Sequence, residues 1–369
     1  MEKKKFNAAT RRFNRLFIAA AIAAGALNPA LAAGWASGPA LTLVRSGAGA
    51  VALANGKLLM IGGRDAQASA FAFYTADLYD PATNAWSQSP YSNAAHYLPG
   101  LARLPNGNVL VAGGLGASGL QNVAEIYMVA TGTWAYAAPM GKPRWAHTLT
   151  VLPNGSVLAV GGAISSSAPQ TTVELYDPAT NTWSYKASLA TARRDHTATL
   201  LPNGKVLVAG GEDVNYLKLA SAEIYDPATN TWTPAAPMAG ARSYYTATLL
   251  ANGKVLVVGG ASDNGPLATT QLFDPATGTW SSAGTLPATR QQHTATVMPS
   301  GKVLVAGGWP INTAAQLYDP ATNSWASAGS MAQARYFHGA GLVSNGKAVL
   351  AGGTTVSNVK ISSVELYEE

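Results

Sequence analysis

Six arginines and one histidine recur in this chain at one place in a fixed pattern: Arg45, His96, Arg144, Arg193, Arg242, Arg290 and Arg335 each stand ten residues after a tryptophan. Guanidinium forks gathered around one opening would focus a positive potential and offer bidentate hydrogen bonds to carboxylate, sulfate or phosphate. His96, standing in for arginine, makes one side of such a ring titratable. The same residues suit a second occupation, as scaffold cations that pair with acidic side chains or lay their stems on aromatic rings. The spacing admits both.

Further candidates follow a recurrent Gly-Gly pair. Glu212-Asp213 comes directly after one such pair and suits general acid-base work if one carboxyl is desolvated. As neighbouring loop acids the two equally suit solvent, or pairing with the arginines. Arg64, Asp65, Asp263, Asn264 and Trp309 occupy corresponding stretches. Trp309 lies outside the register of the other tryptophans and is either a stacking platform for a sugar face or an ordinary loop-packing ring. His147, His196, His293 and His338 recur at one position, with Tyr245 as the fifth unit's replacement, and read as structural. No close pair such as His-x-His offers metal ligands, so neither metal nor cofactor is expected.

The elements that position these residues are set by internal repetition. Glycine pairs at 62–63, 113–114, 161–162, 210–211, 259–260, 307–308 and 352–353 recur at intervals of 45 to 51 residues, the period of a propeller blade or solenoid unit. Eleven residues after each ring position stands a turn glycine (Gly56, Gly107, Gly155, Gly204, Gly253, Gly301, Gly346), and six more reach the pair. Residues 193–232 show the unit. His196–Leu201 alternates, Pro202-Asn203-Gly204 turns, and Lys205–Ala209 runs into the glycines; Ala222–Tyr225, a turn at Asp226–Asn230 and a last strand opened by Trp232 follow. This predicts a four-stranded antiparallel meander, strands a to d, with a tight type I′ turn at Asn-Gly. The glycine pair is expected where neighbouring backbone or a ring comes too close for a Cβ. Length varies only between the glycine pair and the aromatic of strand c, where the gap runs 17, 14, 15, 15, 14, 11 and 15 residues. These b–c loops share a face with the residues that open strand a. The last unit has Glu365-Leu366-Tyr367 but no tryptophan, and Trp35 has no glycine pair before it, so the N-terminal strand is expected to complete the seventh sheet and leave no open edge.

The glycine pairs, the Tyr and Trp after them, and the Arg-x-x-His openings Arg144–His147, Arg193–His196, Arg290–His293 and Arg335–His338 resemble kelch repeats over residues 33–369. The resemblance implies an all-β, seven-bladed β-propeller of four-stranded antiparallel blades. It is nearly silent on function, because one fold hosts many sites. Kelch adaptor domains grip acidic peptides with arginines at this repeat position, which implies an anionic small molecule, glycan or acidic peptide as partner. Similarity to exported kelch-type sialic-acid mutarotases implies the alternative, a carbohydrate isomerase in which an arginine holds the sugar carboxylate and Glu212 or Asp213 moves a proton. Galactose-oxidase-like relatives need a tyrosine cross-linked to cysteine beside copper, and the chain has no cysteine.

Gly114–Gly119 spells a dinucleotide fingerprint but leads into a strand, whereas phosphate binding needs a helix N-terminus. Lys3, Lys4, Lys5, Arg11, Arg12 and Arg15 precede an apolar run from Leu16 to Leu27, and Ala30 and Ala32 fit a cleavage site, so residues 1–32 read as a signal peptide. The expected product is a periplasmic or extracellular monomer without a membrane span. Of 24 Lys+Arg and 18 Asp+Glu, residues 1–32 take six and one, leaving 18 against 17. A nearly neutral domain gives no reason to expect nucleic acid as a partner.

Overall fold

The computed structural model describes residues 34–65, 72–165 and 168–369. The expected signal segment, residues 1–32, lies outside them. Seven four-stranded antiparallel sheets follow one another along the chain. Blades 1 to 7 open with the strands Gly49–Ala52, Gly100–Arg103, Thr148–Val151, Thr197–Leu200, Thr246–Leu249, Thr294–Val297 and Gly339–Leu342. Each of these a strands packs on the next, and the seventh packs on the first, so they line a closed ring. The chain forms a seven-bladed β-propeller.

Within a blade, burial follows position. Strand b, such as Val206–Ala209, is buried along its whole length, because sheet neighbours cover its edges and adjacent blades its faces. Strand d, such as Thr231–Ala235, is the outer strand and exposes Thr231, Thr233 and Pro234. The aromatic of strand c meets the tryptophan of strand d in all seven blades, as Tyr225 does Trp232 with ring centroids 4.9 Å apart. The Trp232 indole then donates to Ala187 O of the preceding blade at 2.7 Å.

Closure is as the repeat count predicts. Trp35–Gly38 pairs with Val364–Tyr367 and supplies strand d of blade 7. The a–b hairpin differs from the expected type I′ turn. In the blade 2 hairpin the Gly107 N–H donates to Leu104 O at 2.9 Å, and of the turn residues only Gly107, at φ 87°, is left-handed. This is a type I turn closed by a glycine bulge. Pro105, like Pro153 and Pro202, fixes a negative φ at the position where type I′ requires a positive one.

The glycine pairs dock one blade on the next. A Cβ on Gly211 would lie 2.4 Å from Arg194 O, and one on Gly210 would lie 2.7 Å from Arg242 O. Freed of that clash, Gly211 N–H donates to Arg242 O at 2.9 Å. The same bond joins every neighbouring pair of blades, ending with Gly353 N–H to Arg45 O at 2.8 Å.

Candidate functional site

The ring arginines turn away from the axis. Arg193 reaches along its own blade, where Nη1 donates to Gly210 O and Ser221 O, and Nη2 donates to Ser221 Oγ and, at 2.9 Å, to the Glu223 carboxylate. Arg45 meets Asp77, Arg144 meets Glu174, Arg335 meets Glu365, and His96 meets Glu125 in the same way. The six arginine side chains are at most 1% exposed. The expected ring of open guanidiniums around a pocket is corrected at this point. Buried carbonyls at the end of strand b and a buried carboxylate on strand c require donors, and these forks supply them.

Arg242 and Arg290 depart from the set, because strand c presents Gln271 and Gln316 in place of an acid. Burial alone lowers the pKa of Arg290 to about 10.

The axial face is built by the next two residues of each repeat. Ser46, Tyr97, Trp145, Arg194, Ser243, Gln291 and Tyr336 bridge respectively to Arg64, Leu115, Ala163, Glu212, Ala261, Trp309 and Thr354, the first residues beyond the glycine pairs. One place further on, Gly47, Leu98, Ala146, Asp195, Tyr244, Gln292 and Phe337 all have φ between 51° and 65°. Their backbones bond around the axis: Gly47 N–H donates to Phe337 O, Leu98 N–H to Gly47 O, and Asp195 N–H to Ala146 O, each at 3.0 Å. Left-handed backbone at non-glycine residues costs about 1 kcal/mol each, and hydrogen bonds between five of the seven successive pairs help to hold it in place.

Glu212, a predicted catalytic residue, is buried and paired. Its carboxylate accepts from Arg194 and Lys218, both at 2.8 Å, and from Ser243 Oγ at 3.3 Å. Burial pushes its pKa up, but the bonds from Lys218 and Arg194 outweigh that and hold it below the usual carboxylate range. Its three partners anchor the carboxylate between blades 4 and 5. Asp213 uses Oδ1 to accept the N–H groups of Asn215 and Leu217 and so closes its own loop. Both carboxylates are thus engaged by partners within the fold. The Arg194 guanidinium lies over the rings of Trp145 at 5.4 Å and Tyr216 at 5.1 Å.

Asp195 has the property expected of Glu212. Burial first, then the charge of Glu212, raises its pKa to about 7. Its side chain is hydrogen-bonded to Tyr244 and lies 3.6 Å from Arg194 Nε. Burial and the Asp195 and Glu212 charges push the Tyr244 phenol well up. The sequence signal is Asp195's place in the repeat: it is the one acid among seven left-handed positions.

Arg64 sits elsewhere on this face, its guanidinium 4.4 Å from the Tyr97 ring centroid. Burial, and then the Arg64 charge, lower the pKa of Lys360, which bridges to Thr354. Thr354 Oγ1 donates to Ser46 Oγ at 2.8 Å and its backbone bridges to Tyr336. Arg64, Asp65, Tyr97, Tyr336 and Lys360 thus make a charged, aromatic corner in which the Asp65 charge acts on Lys360 against that of Arg64. Trp309 is 44% exposed at the rim. Asp263 Oδ1 accepts the Lys218 N–H at 3.0 Å and borders a separate cavity that also reaches Arg242. Asn264 lies on that cavity too. The Gly114–Gly119 motif forms a two-stranded ribbon, Leu115–Gly116 with Gly119–Leu120, and no helix follows. Among the described residues no three His, Cys, Asp or Glu side chains come together in a metal-ligating group, and no helix is long and apolar enough to cross a membrane.

The circular array of meanders defines the class, a seven-bladed propeller with a mixed aromatic and charged axial face. The family model of the KLHDC2/KLHL20/DRC7 Kelch-repeats domain matches residues 146–353, and the chain belongs to the kelch-repeat family. No curated protein matches the sequence. Among solved structures it is similar to a fungal alcohol oxidase of the AA5 family in complex with copper, with TM-score 0.76 and 20% identity over 91% of this chain and 76% of that one. At that identity the likeness concerns the fold alone.

Proposed function

We propose that this chain is a binding module for an acidic glycan, held on the axial face. The observation that carries the reading is the corner in which the Arg64 guanidinium lies on the Tyr97 ring with Lys360 close enough to feel its charge. Sugar rings present apolar C–H faces that pack on Tyr336, Trp145 and Trp309, while Arg64 and Lys360 offer charge-assisted hydrogen bonds to a carboxylate in competition with Asp65. The ring arginines contribute by fixing the blades that carry these residues. In keeping with residues 1–32, the propeller acts as a monomer outside the cytoplasm once that segment is removed.

The test is calorimetric titration with oligogalacturonate and with its methyl ester. The acid should bind at least tenfold more tightly than the ester. Arg64→Ala with Lys360→Ala should abolish the difference without changing Tm. Equal binding of acid and ester, or no binding of either, overturns the reading.

A second reading, proton transfer on such a sugar, draws on Asp195, whose carboxyl titrates near neutrality beside the Tyr244 phenol. It requires anomerisation of N-acetylneuraminate by the wild type and its loss in Asp195→Asn. No turnover by the wild type eliminates it.

A further inference from the structure

We propose that blade 5 carries a second binding site, separate from the Arg64 corner, that takes a small organic carboxylate beside Arg242. A cavity of about 520 Å³ lies there, bordered by Gly240, Arg242, Asp263, Gln271, Trp280 and Ser282. Comparison with blade 3 explains why it is open. There Glu174 accepts from Arg144 and from the Gly141 and Lys142 N–H groups, and a Cβ on Gly141 would come 2.4 Å from the Tyr185 hydroxyl. In blade 5 the acid is replaced by Gln271 and the tyrosine by Ser282, and a β-bulge between Thr269 and Gln271 shifts the edge strand. The position equivalent to Gly141 is Ala239, whose N–H donates to Gln271 Oε1 at 2.9 Å as that of Gly141 does to Glu174.

The electrostatic deficit sits at the same place. Arg242 is 1% exposed, with Nη1 donating to Gly259 O and Thr269 O, and Nη2 to Thr269 Oγ1. The Nη2 proton that meets a carboxylate in blades 3, 4 and 7 has none here, because Gln271 is neutral and its Oε1 accepts the Ala239 N–H. A buried cation without a counter-ion favours an anion in the adjoining space. The walls fit a small molecule: the cavity is near the low end of ligand-sized pockets, and Trp280 gives it an apolar side. Asp263, at the border, favours a ligand with a second, hydrogen-donating group, so hydroxy and amino acids fit better than simple fatty acids. Blade 6 has the same replacements, Gln316 and Ser327, but Arg290 directs both Nη atoms to Ala314 O and so uses its fork on the backbone.

Saturation-transfer NMR on the full chain with L-lactate, and with lactamide as its neutral counterpart, tests this. The wild type should give a saturable signal with lactate and none with lactamide. Gln271→Glu supplies the missing carboxylate from within, and should raise Tm while weakening lactate binding at least tenfold. Ser282→Tyr should block the cavity and do the same to binding. Arg64→Ala should leave lactate binding unchanged, which separates this site from the Arg64 corner. No saturable lactate signal, an equal signal from lactamide, or wild-type affinity in a folded Gln271→Glu protein overturns the proposal.

Discussion

Trp35 and Tyr367 face each other across the last ladder of the propeller, ring centroids 5.1 Å apart, with their backbones directly paired. The Trp35 indole donates to Ala328 O at 2.7 Å and so also fastens blade 7 to blade 6. The Trp35–Tyr367 pairing joins residues more than 300 positions apart in sequence, and it closes the last sheet.

Trp35→Ala should therefore destabilise the whole ring rather than fray one end. Removing a buried tryptophan costs about 3–5 kcal/mol. Chemical denaturation should show that loss at the global transition, and the Trp35→Ala, Tyr367→Ala double mutant should lose less than the sum of the singles because the two rings share a contact. Additivity, or an unchanged midpoint, would mean that this strand does not close the fold.

The interior pair Arg193–Glu223 yields a second prediction. Glu223 accepts from Arg193 at 2.9 Å and from the N–H groups of Ala190 and Thr191. Glu223→Ala leaves a buried cation unpaired and should cost about 3–5 kcal/mol by denaturant titration. Glu223→Gln copies what blade 5 already has at Gln271 and should cost clearly less. Equal losses would show that packing, not charge, governs this position.

The repeat was legible because three signals shared one period: the glycine pair that a neighbouring carbonyl approaches, the indole that binds the preceding blade, and the arginine between them. The direction of the arginine side chain was not legible from its own position. Its partner was present in the sequence as an acid two residues before the strand c aromatic, at Asp77, Glu125, Glu174, Glu223 and Glu365. An antiparallel neighbour brings that acid alongside, but only pairing register shows which face it takes. The hairpin turn departs from the Asn-Gly expectation with or without a preceding proline, since Ala54, Ala251 and Ser344 stand where Pro105, Pro153 and Pro202 do and the Gly56, Gly253 and Gly346 N–H groups close the same bond. The sequence marks Asp195 only as the acid at its repeat position; its approach to Tyr244 is not legible there, because the left-handed backbone and the hydrogen bonds between successive positions that support it are tertiary properties.

Acid sensitivity should come from the buried histidines. Burial, then nearby arginine charge, lowers the pKa of His196 and His338 to about 3 and pushes His147 and His293 well down. In the unfolded chain a histidine takes up its proton near pH 6.5. Between those values the unfolded state holds more protons, so stability rises with pH across roughly pH 3 to 6.5 and is fully present above it. Each such histidine contributes a slope of about 1.4 kcal/mol per pH unit in its window. His338→Phe should flatten the dependence of the unfolding free energy on pH by about one proton. An unchanged slope would mean that His338 titrates normally in the fold.

Asp195 works in the opposite direction, and its sign can be isolated. Its carboxyl loses its proton near pH 4 when the chain is unfolded but only near pH 7 in the fold, because burial and the Glu212 charge disfavour its ionised form. From pH 4 to 7 the folded state therefore holds the extra proton, and this residue's contribution to stability declines as pH rises, reaching its minimum above pH 7. Asp195→Asn removes the titration while keeping a group that can bond to Tyr244. It should leave stability nearly unchanged at pH 4, raise it by about 1–4 kcal/mol at pH 8, and make the wild-type and variant curves diverge steadily between. Arg194 and Lys218 remain paired with Glu212 in the variant, so the difference reports Asp195 rather than the collapse of its neighbours. Parallel curves, or a variant less stable at pH 8, would show instead that Asp195 is ionised at neutral pH and held by Arg194, which would also remove the basis for proton transfer at this face.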